Sequence, residues 1–381
     1  MTDDDFQFAA RVTAVAESKT TRFFGMVQSL RQQGRRIISL AVGEPDFDTP
    51  EAVIRATREA LASQATRYGA VAGELALRRD LAQAFEGYGP GNILITNGAK
   101  QGLFEIFQAL CNPSDEVIIP SPCWVSFAEQ VRLAGGRPVL VDTVDHQIDP
   151  DIIQKAVTPR TRAILVNTPN NPTGAVYPAE ALATVARIAA GHGLYLIADE
   201  AYHAFTFDGG VHRQMYDLAT DRRQLVTVRS FSKQYNMTGF RLGYVVADAA
   251  LIEMLVRLQS HMSGNVCTFS QYGGLAALEM DQNIVEQRRA ALQRRRDIAY
   301  GYARELFDCI RPQGAFYLFP DVRPYLRPGE NSEVLAMRLL DQASVAVVPG
   351  EAFGAAGHIR ISYTVSEADL HLAFEKMKEA L

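Results

Sequence analysis

The stretch Leu225-Val226-Thr227-Val228-Arg229-Ser230-Phe231-Ser232-Lys233 decides how this chain is read. Its first part, Leu225–Arg229, is short, β-branched and nearly continuous in apolar character. That texture reads as a strand covered on both faces. Two serines and a lysine follow, and a turn at Gly239-Phe240-Arg241 lies just beyond.

Working outward, six further runs share the texture: Ile93–Thr96, Glu116–Pro120, Pro138–Val141, Ala163–Asn167, Leu194–Ala198 and Leu242–Ala247. Helical patterns separate them. In Ala99–Leu110, for example, Leu103, Phe107 and Leu110 recur at helical spacing. Alternation of strand and helix predicts an α/β fold with a largely parallel sheet over roughly residues 45–280. Beyond it the texture changes. Residues 284–307 carry a long arginine-rich helical pattern, followed by strand-like pieces at Gly314–Phe319, Val345–Val348 and His358–Tyr363. These predict a smaller α+β domain. Near the N-terminus, Phe23–Gln33 reads as a helix that Gly34 ends. Pattern alone leaves open where that segment packs. The arginines Arg288, Arg289, Arg294, Arg295 and Arg296 read as a solvated helix face, because no aromatics interleave them for base stacking.

Composition narrows the function classes. The 381 residues are 48% hydrophobic and 21% charged, ordinary for a globular protein with a sizeable core. A net charge of -5 argues against nucleic acid as a partner. No apolar run is long enough to suggest a membrane span. The acidic start Met1-Thr2-Asp3-Asp4-Asp5 has the wrong chemistry for a secretory signal, so a cytoplasmic protein is expected. Cys111, Cys123, Cys267 and Cys309 are scattered, which suits free thiols in a reducing compartment. The histidines show no ligand spacing, so no metal is expected.

The polar residues at the ends of these runs form a chemical set. A lysine that must attack an aldehyde needs its neutral amine, which burial or neighbouring cations favour; Lys233 is the candidate. Asp199 follows the run Leu194–Ala198, where open α/β sheets place ligands. A buried carboxylate there would keep a pyridine nitrogen protonated, although aspartate is also common in strand-end turns. Tyr202 and Asn171 can donate to a ring phenolic oxygen, and Asn171-Pro172-Thr173-Gly174 also reads as a β-turn. Arg241, Ser230 and Ser232 offer a guanidinium and hydroxyls to a phosphate. Gly98-Ala99-Lys100 opens a helix whose first amides suit an anion. The Lys100 side chain could track that phosphate, reach an anionic substrate or point to solvent. Trp124, the one tryptophan, could stack on a flat ring or serve the core. Arg360 could grip a carboxylate at two points or lie on a polar surface. Together these groups fit one ligand, pyridoxal 5'-phosphate (PLP).

The same residues resemble class I aminotransferases of the fold-type I PLP superfamily, bacterial aspartate aminotransferases in particular. The likeness runs from Gly43-Glu44-Pro45-Asp46-Phe47 to His358-Ile359-Arg360-Ile361-Ser362-Tyr363. Its most specific block is Ser-x-Ser-Lys with arginine eight residues on, preceded by Asn-Pro-x-Gly and Asp-x-x-Tyr. The resemblance implies a large cofactor-binding domain over 44–283 and a small domain built from 1–43 and 284–381. It implies that Lys233 carries the cofactor as a Schiff base and moves the substrate proton. Asp199 would partner the pyridine nitrogen, with Tyr202 and Asn171 on the phenolate. Ser230, Arg241, Gly98, Ala99 and Lys100 would hold the phosphate, and Trp124 would stack on the ring. Tyr68 would reach the phosphate of a neighbouring subunit, making a homodimer with shared active sites. The Gly43 backbone and Arg360 would take the substrate's α-carboxylate, and Asn171 would also touch the substrate. The substrates implied are an amino acid, aspartate or another acidic one, and a 2-oxo acid such as 2-oxoglutarate. Lys100 would then hold the distal carboxylate, with Ser18 and Thr20 near the substrate. Cys123 and Gly69-Ala70-Val71 depart from the common pattern. A specialised biosynthetic or aromatic/prephenate aminotransferase therefore stays open. So does elimination, cyclisation or oxidation on the same fold.

Overall fold

The computed structural model describes residues 8–16 and 19–381, with no side-chain description at 19, 20 and 24. The acidic start, Ser18 and the Thr20 side chain lie outside the described residues.

Seven strands build the main sheet: β1 (Ile93–Thr96), β2 (Glu116–Ser121), β3 (Arg137–Asp142), β4 (Thr161–Asn167), β5 (Tyr195–Asp199), β6 (Leu225–Ser230) and β7 (Gly243–Ala247). Their spatial order is β1-β7-β6-β5-β4-β2-β3. All neighbours are parallel except β7, which runs antiparallel to both β6 and β1. Alternate strand residues enter two separate apolar clusters. Ile164, Val166, Leu196 and Ala198 face one side, while Leu165, Ile197, Val226 and Val228 face the other. Helices cover both faces, so the period of two is hidden in the sequence as a continuous apolar run. β3 departs from the predicted double burial. It is the sheet edge, and Leu140 on it is 46% exposed.

Register decides what meets at the edge where β4, β5 and β6 end. Asn167 pairs with Asp199, and Ser230 pairs with Gly243. Gly243 also pairs with Thr96 of β1, two residues before Gly98. A Cβ at Gly243 would come within 2.5 Å of the Ala99 nitrogen. Only glycine lets the start of β7 approach the helix Ala99–Leu110 this closely.

The smaller unit is α+β. Ile38–Ser39 pairs in parallel with Val345–Ala346. Ile359–Ser362 lies antiparallel between Val348–Pro349 and Tyr317–Leu318. Helices Asn283–Leu306 and Glu367–Ala380 pack together beside these strands. Phe23, Ile38 and Leu40 share an apolar cluster with Phe316, Tyr317, Ile361 and Tyr363. The predicted strand Gly314–Phe319 shrinks to Tyr317–Leu318. Its first residues turn away to bond the large sheet's loops, with Gly314 donating to Gly174 and Ala315 to Phe205 at 2.9 Å each.

The arginine run corrects the sequence reading. Arg296 is fully buried and bidentate to Asp208 at 2.6 and 2.7 Å. Arg295 pairs with Asp46 at 2.6 Å, and Arg288 donates to the Asp48 carbonyl at 2.6 Å. Both guanidiniums lie over the Phe47 ring. Only the tertiary fold brings those carboxylates and that ring to the helix, so a run that looks solvated is mostly an inter-segment clamp. Among the described residues no helix is long and apolar enough to cross a membrane, and no acid, histidine or cysteine group could hold a metal ion.

Candidate active site

A cavity of about 470 Å³ opens at the strand-end edge, roofed by the smaller unit. Apart from Ser18 and the Thr20 side chain, which lie outside the described residues, every residue given a cofactor or substrate role from the sequence lines it except Gly98 and Tyr68. Gly98 stands just behind as the residue before the helix Ala99–Leu110, with φ +79. A Cβ there would lie 2.5 Å from the Arg241 Nη2 atom. Tyr68 is elsewhere, 99% exposed on the surface.

β6 ends at Ser230, whose hydroxyl accepts from the Ser232 amide at 3.1 Å and starts the short helix Phe231–Gln234. That turn lifts Lys233 into the cavity wall. Its Nζ donates to the Gly43 carbonyl at 2.7 Å. Burial pulls its pKa down to about 8. Glu44 opposes the shift, and Arg360, Arg241 and Lys100 add to it. The amine is therefore poised to lose its proton near neutral pH.

β5 ends at Asp199, which is 5% exposed. One oxygen accepts from the Ala201 amide at 3.0 Å, and among the described residues it has no ion pair. Burial raises its pKa to about 7, and the neighbouring Glu200 charge adds to the rise. A buried carboxylate left without a cation suits a cationic ligand group.

Between these lie the hydroxyl and amide donors. Asn171 Nδ2 approaches the Tyr202 hydroxyl at 3.5 Å, and Arg360 Nη1 donates to Asn171 Oδ1 at 2.9 Å. Arg360 Nη2 donates to the Ala41 carbonyl at 2.7 Å, while its Nε has no hydrogen-bond partner among the described residues. Arg360 is buried, so the surface reading of its strand fails. At the mouth, the Lys100 amine sits 5.0 Å above the Trp124 ring. Partial burial and then Arg241 lower its pKa. Arg241 adopts φ +52 and donates to the Thr238 carbonyl at 3.0 Å. The first amides of the helix Ala99–Leu110 have no acceptor inside the helix. Cations, hydroxyl and free amides thus converge on one corner, as a phosphate requires. The donor set fits PLP.

Sequence reasoning missed Tyr317, Asn167, Thr238 and Leu103, all in the cavity wall. Thr238 lies within the Lys233–Arg241 span and was within reach of spacing arguments. Tyr317 had no such signal. It sits in an apolar stretch, and its hydroxyl meets Tyr202 across 115 residues.

The fold is that of the fold-type I transferases. A structure of aspartate aminotransferase from Thermus thermophilus with maleate superimposes with a TM-score of 0.95. It is 40% identical and covers 99% of this chain and 100% of its own. Aspartate aminotransferase of Geobacillus stearothermophilus is 36% identical over 97% of this chain and 98% of its own length. Aspartate/prephenate aminotransferase of Thermus thermophilus is 41% identical over the same shares. The profile described as Aminotransferase class I and II matches residues 35–377. The chain belongs to that family.

Proposed function

We propose that this protein is a PLP-dependent aminotransferase that moves an amino group between an acidic L-amino acid, aspartate first, and a 2-oxo acid such as 2-oxoglutarate. One observation carries the reading: a lysine held near pKa 8 shares the cavity with a buried carboxylate that has no cation partner among the described residues. When bound, PLP supplies an aldehyde and an electron-withdrawing ring. Asp199 would keep the ring nitrogen protonated by opposite charge. Tyr202 and Asn171 would hold the phenolic oxygen, and Trp124 would lie against the ring. Ser230, Arg241 and the amides of Ala99 and Lys100 would take the phosphate, while Gly98, whose own amide donates to the Thr96 carbonyl at 2.7 Å, leaves room for the Arg241 guanidinium. Lys233, once neutral, would accept and hold the substrate's Cα proton. Gly43 and Arg360 would orient the α-carboxylate.

Lys100 at the mouth suits a second carboxylate, and the Thermus structure was solved with maleate, a dicarboxylic acid. A second reading, amino transfer to prephenate, is favoured by the relative named for both activities. We assign the large domain to 44–283 and the small domain to 1–43 with 284–381. The protein is proposed as a homodimer in which Tyr68 reaches the neighbouring subunit's phosphate. A cytoplasmic setting agrees with four unpaired cysteines.

The test loads the purified protein with PLP and adds amino donors one at a time without acceptor. Aspartate is expected to change the visible absorbance and release its 2-oxo acid stoichiometrically. A spectrum that no proteinogenic donor alters would sink the reading. Stoichiometric ammonia release would point to elimination instead.

A further inference from the structure

Tyr317 is 1% exposed, yet its ring lines the cavity. Its hydroxyl lies 2.9 Å from that of Tyr202, and either oxygen can donate. The Arg360 guanidinium sits 4.4 Å over the Tyr317 ring. The same guanidinium fixes Asn171 by donating to Oδ1, which turns Nδ2 toward the Tyr202 hydroxyl. Gly43 admits the Tyr317 hydroxyl, because a Cβ at that position would lie 2.0 Å from it.

These contacts decide where one proton goes. A tyrosine hydroxyl has a single proton to give. Asn171 Nδ2 can only donate toward Tyr202. If Tyr202 spends its proton on Tyr317, none faces the cavity. If Tyr317 donates instead, the Tyr202 proton is free for an acceptor there. An anionic oxygen in the cavity selects the second arrangement. A hydroxyl that accepts a hydrogen bond also becomes a stronger donor.

We infer that Tyr317 is a positioning residue. It donates to Tyr202 and so aims and strengthens the Tyr202 proton toward the phenolic oxygen of the cofactor. This rests on the PLP reading above. Gly43 has a matching structural task, which is to leave room for that hydroxyl.

The experiment titrates the visible absorbance of PLP-loaded protein against pH, with no substrate present. Tyr317→Phe keeps the ring beneath Arg360 and removes only the donor. Its absorbance midpoint is expected to rise by roughly half a pH unit, the scale of one neutral hydrogen bond. In a Tyr202→Phe background the same change should do nothing further. Gly43→Ala, which displaces the hydroxyl without deleting it, should reproduce the rise. An unmoved midpoint in Tyr317→Phe overturns the inference. So does an equal rise when Tyr202 is already phenylalanine, because the effect would then bypass Tyr202. A parent protein that acquires no visible band with PLP would remove the functional reading itself and this inference with it. A normal band with an unmoved midpoint removes this inference alone.

Discussion

Asp199 and Glu200 are chain neighbours, both carboxylates and both buried, yet the fold drives their pKa values in opposite directions. Asp199 is raised to about 7 by burial. Glu200 suffers burial as well but is held down to about 2, because Arg229 and His212 lie against it. The Arg229 guanidinium reaches Glu200 at 2.7 and 3.0 Å, and the Met215 amide adds a bond at 2.8 Å. The two side chains leave the end of β5 on opposite sides. Glu200 points into the protein, where the chain supplies its own cation. Asp199 points into the cavity, where the described residues supply none. A folded protein tolerates an unpaired buried charge where a ligand is to complete it.

Removing groups on the cavity side should cost function and spare the fold. Lys233→Ala is expected to abolish turnover while circular dichroism and the unfolding midpoint stay close to the parent. Residual turnover near the parental rate would refute its assignment. Asp199→Ala should lose several kcal/mol of transition-state stabilisation, as when any preorganised charge is removed; kcat/KM measures this.

Stability should show the sharpest contrast. In the cofactor-free chain the folded Asp199 holds its proton more tightly than its ordinary 3.8. Stability from this group therefore falls as pH rises from about 4 to about 7. Asp199→Asn should make the cofactor-free protein more stable at pH 8 by roughly 4 kcal/mol at most. Glu200 works the other way. Its folded value near 2 lies below its ordinary 4.5, so its contribution is present above 4.5 and is lost as pH falls toward 2. Glu200→Gln should cost about 3–5 kcal/mol, because Arg229 would be left buried without its partner. Urea unfolding of both variants at pH 8 checks the pair. Two shifts of the same sign would erase the contrast.

The smallest expected effect is at the mouth. Lys100→Ala should weaken kcat/KM for aspartate by about tenfold, roughly one lost exposed-to-half-buried ion pair. Alanine as donor should be nearly unaffected. Equal losses for both would move Lys100 from the substrate to the phosphate.

Much of the proposed cofactor cradle was legible in the sequence. Asp199, Ser230 and Lys233 stand at or just past the ends of apolar strands, and Arg241 follows within one short excursion. Covalent spacing along parallel strands delivers such residues to one edge, so a linear reading can find them. The substrate side was less legible. Arg360 looked as much like a surface residue as a binding one, because alternation along its strand cannot tell which face another unit will cover.

By itself, then, the order of residues established an α/β sheet with helices on both faces and a smaller α+β unit. It also named the strand-end groups suited to PLP. Only the tertiary structure decided which charges would be paired and which left open. Arg229 meets Glu200, Arg296 meets Asp208 and Tyr317 meets Tyr202 across gaps of 29, 88 and 115 residues. Contacts of that kind depend on strand order, register and the direction a side chain takes from its backbone. None of these is written in local spacing, since burial and electrostatics act between neighbours in space.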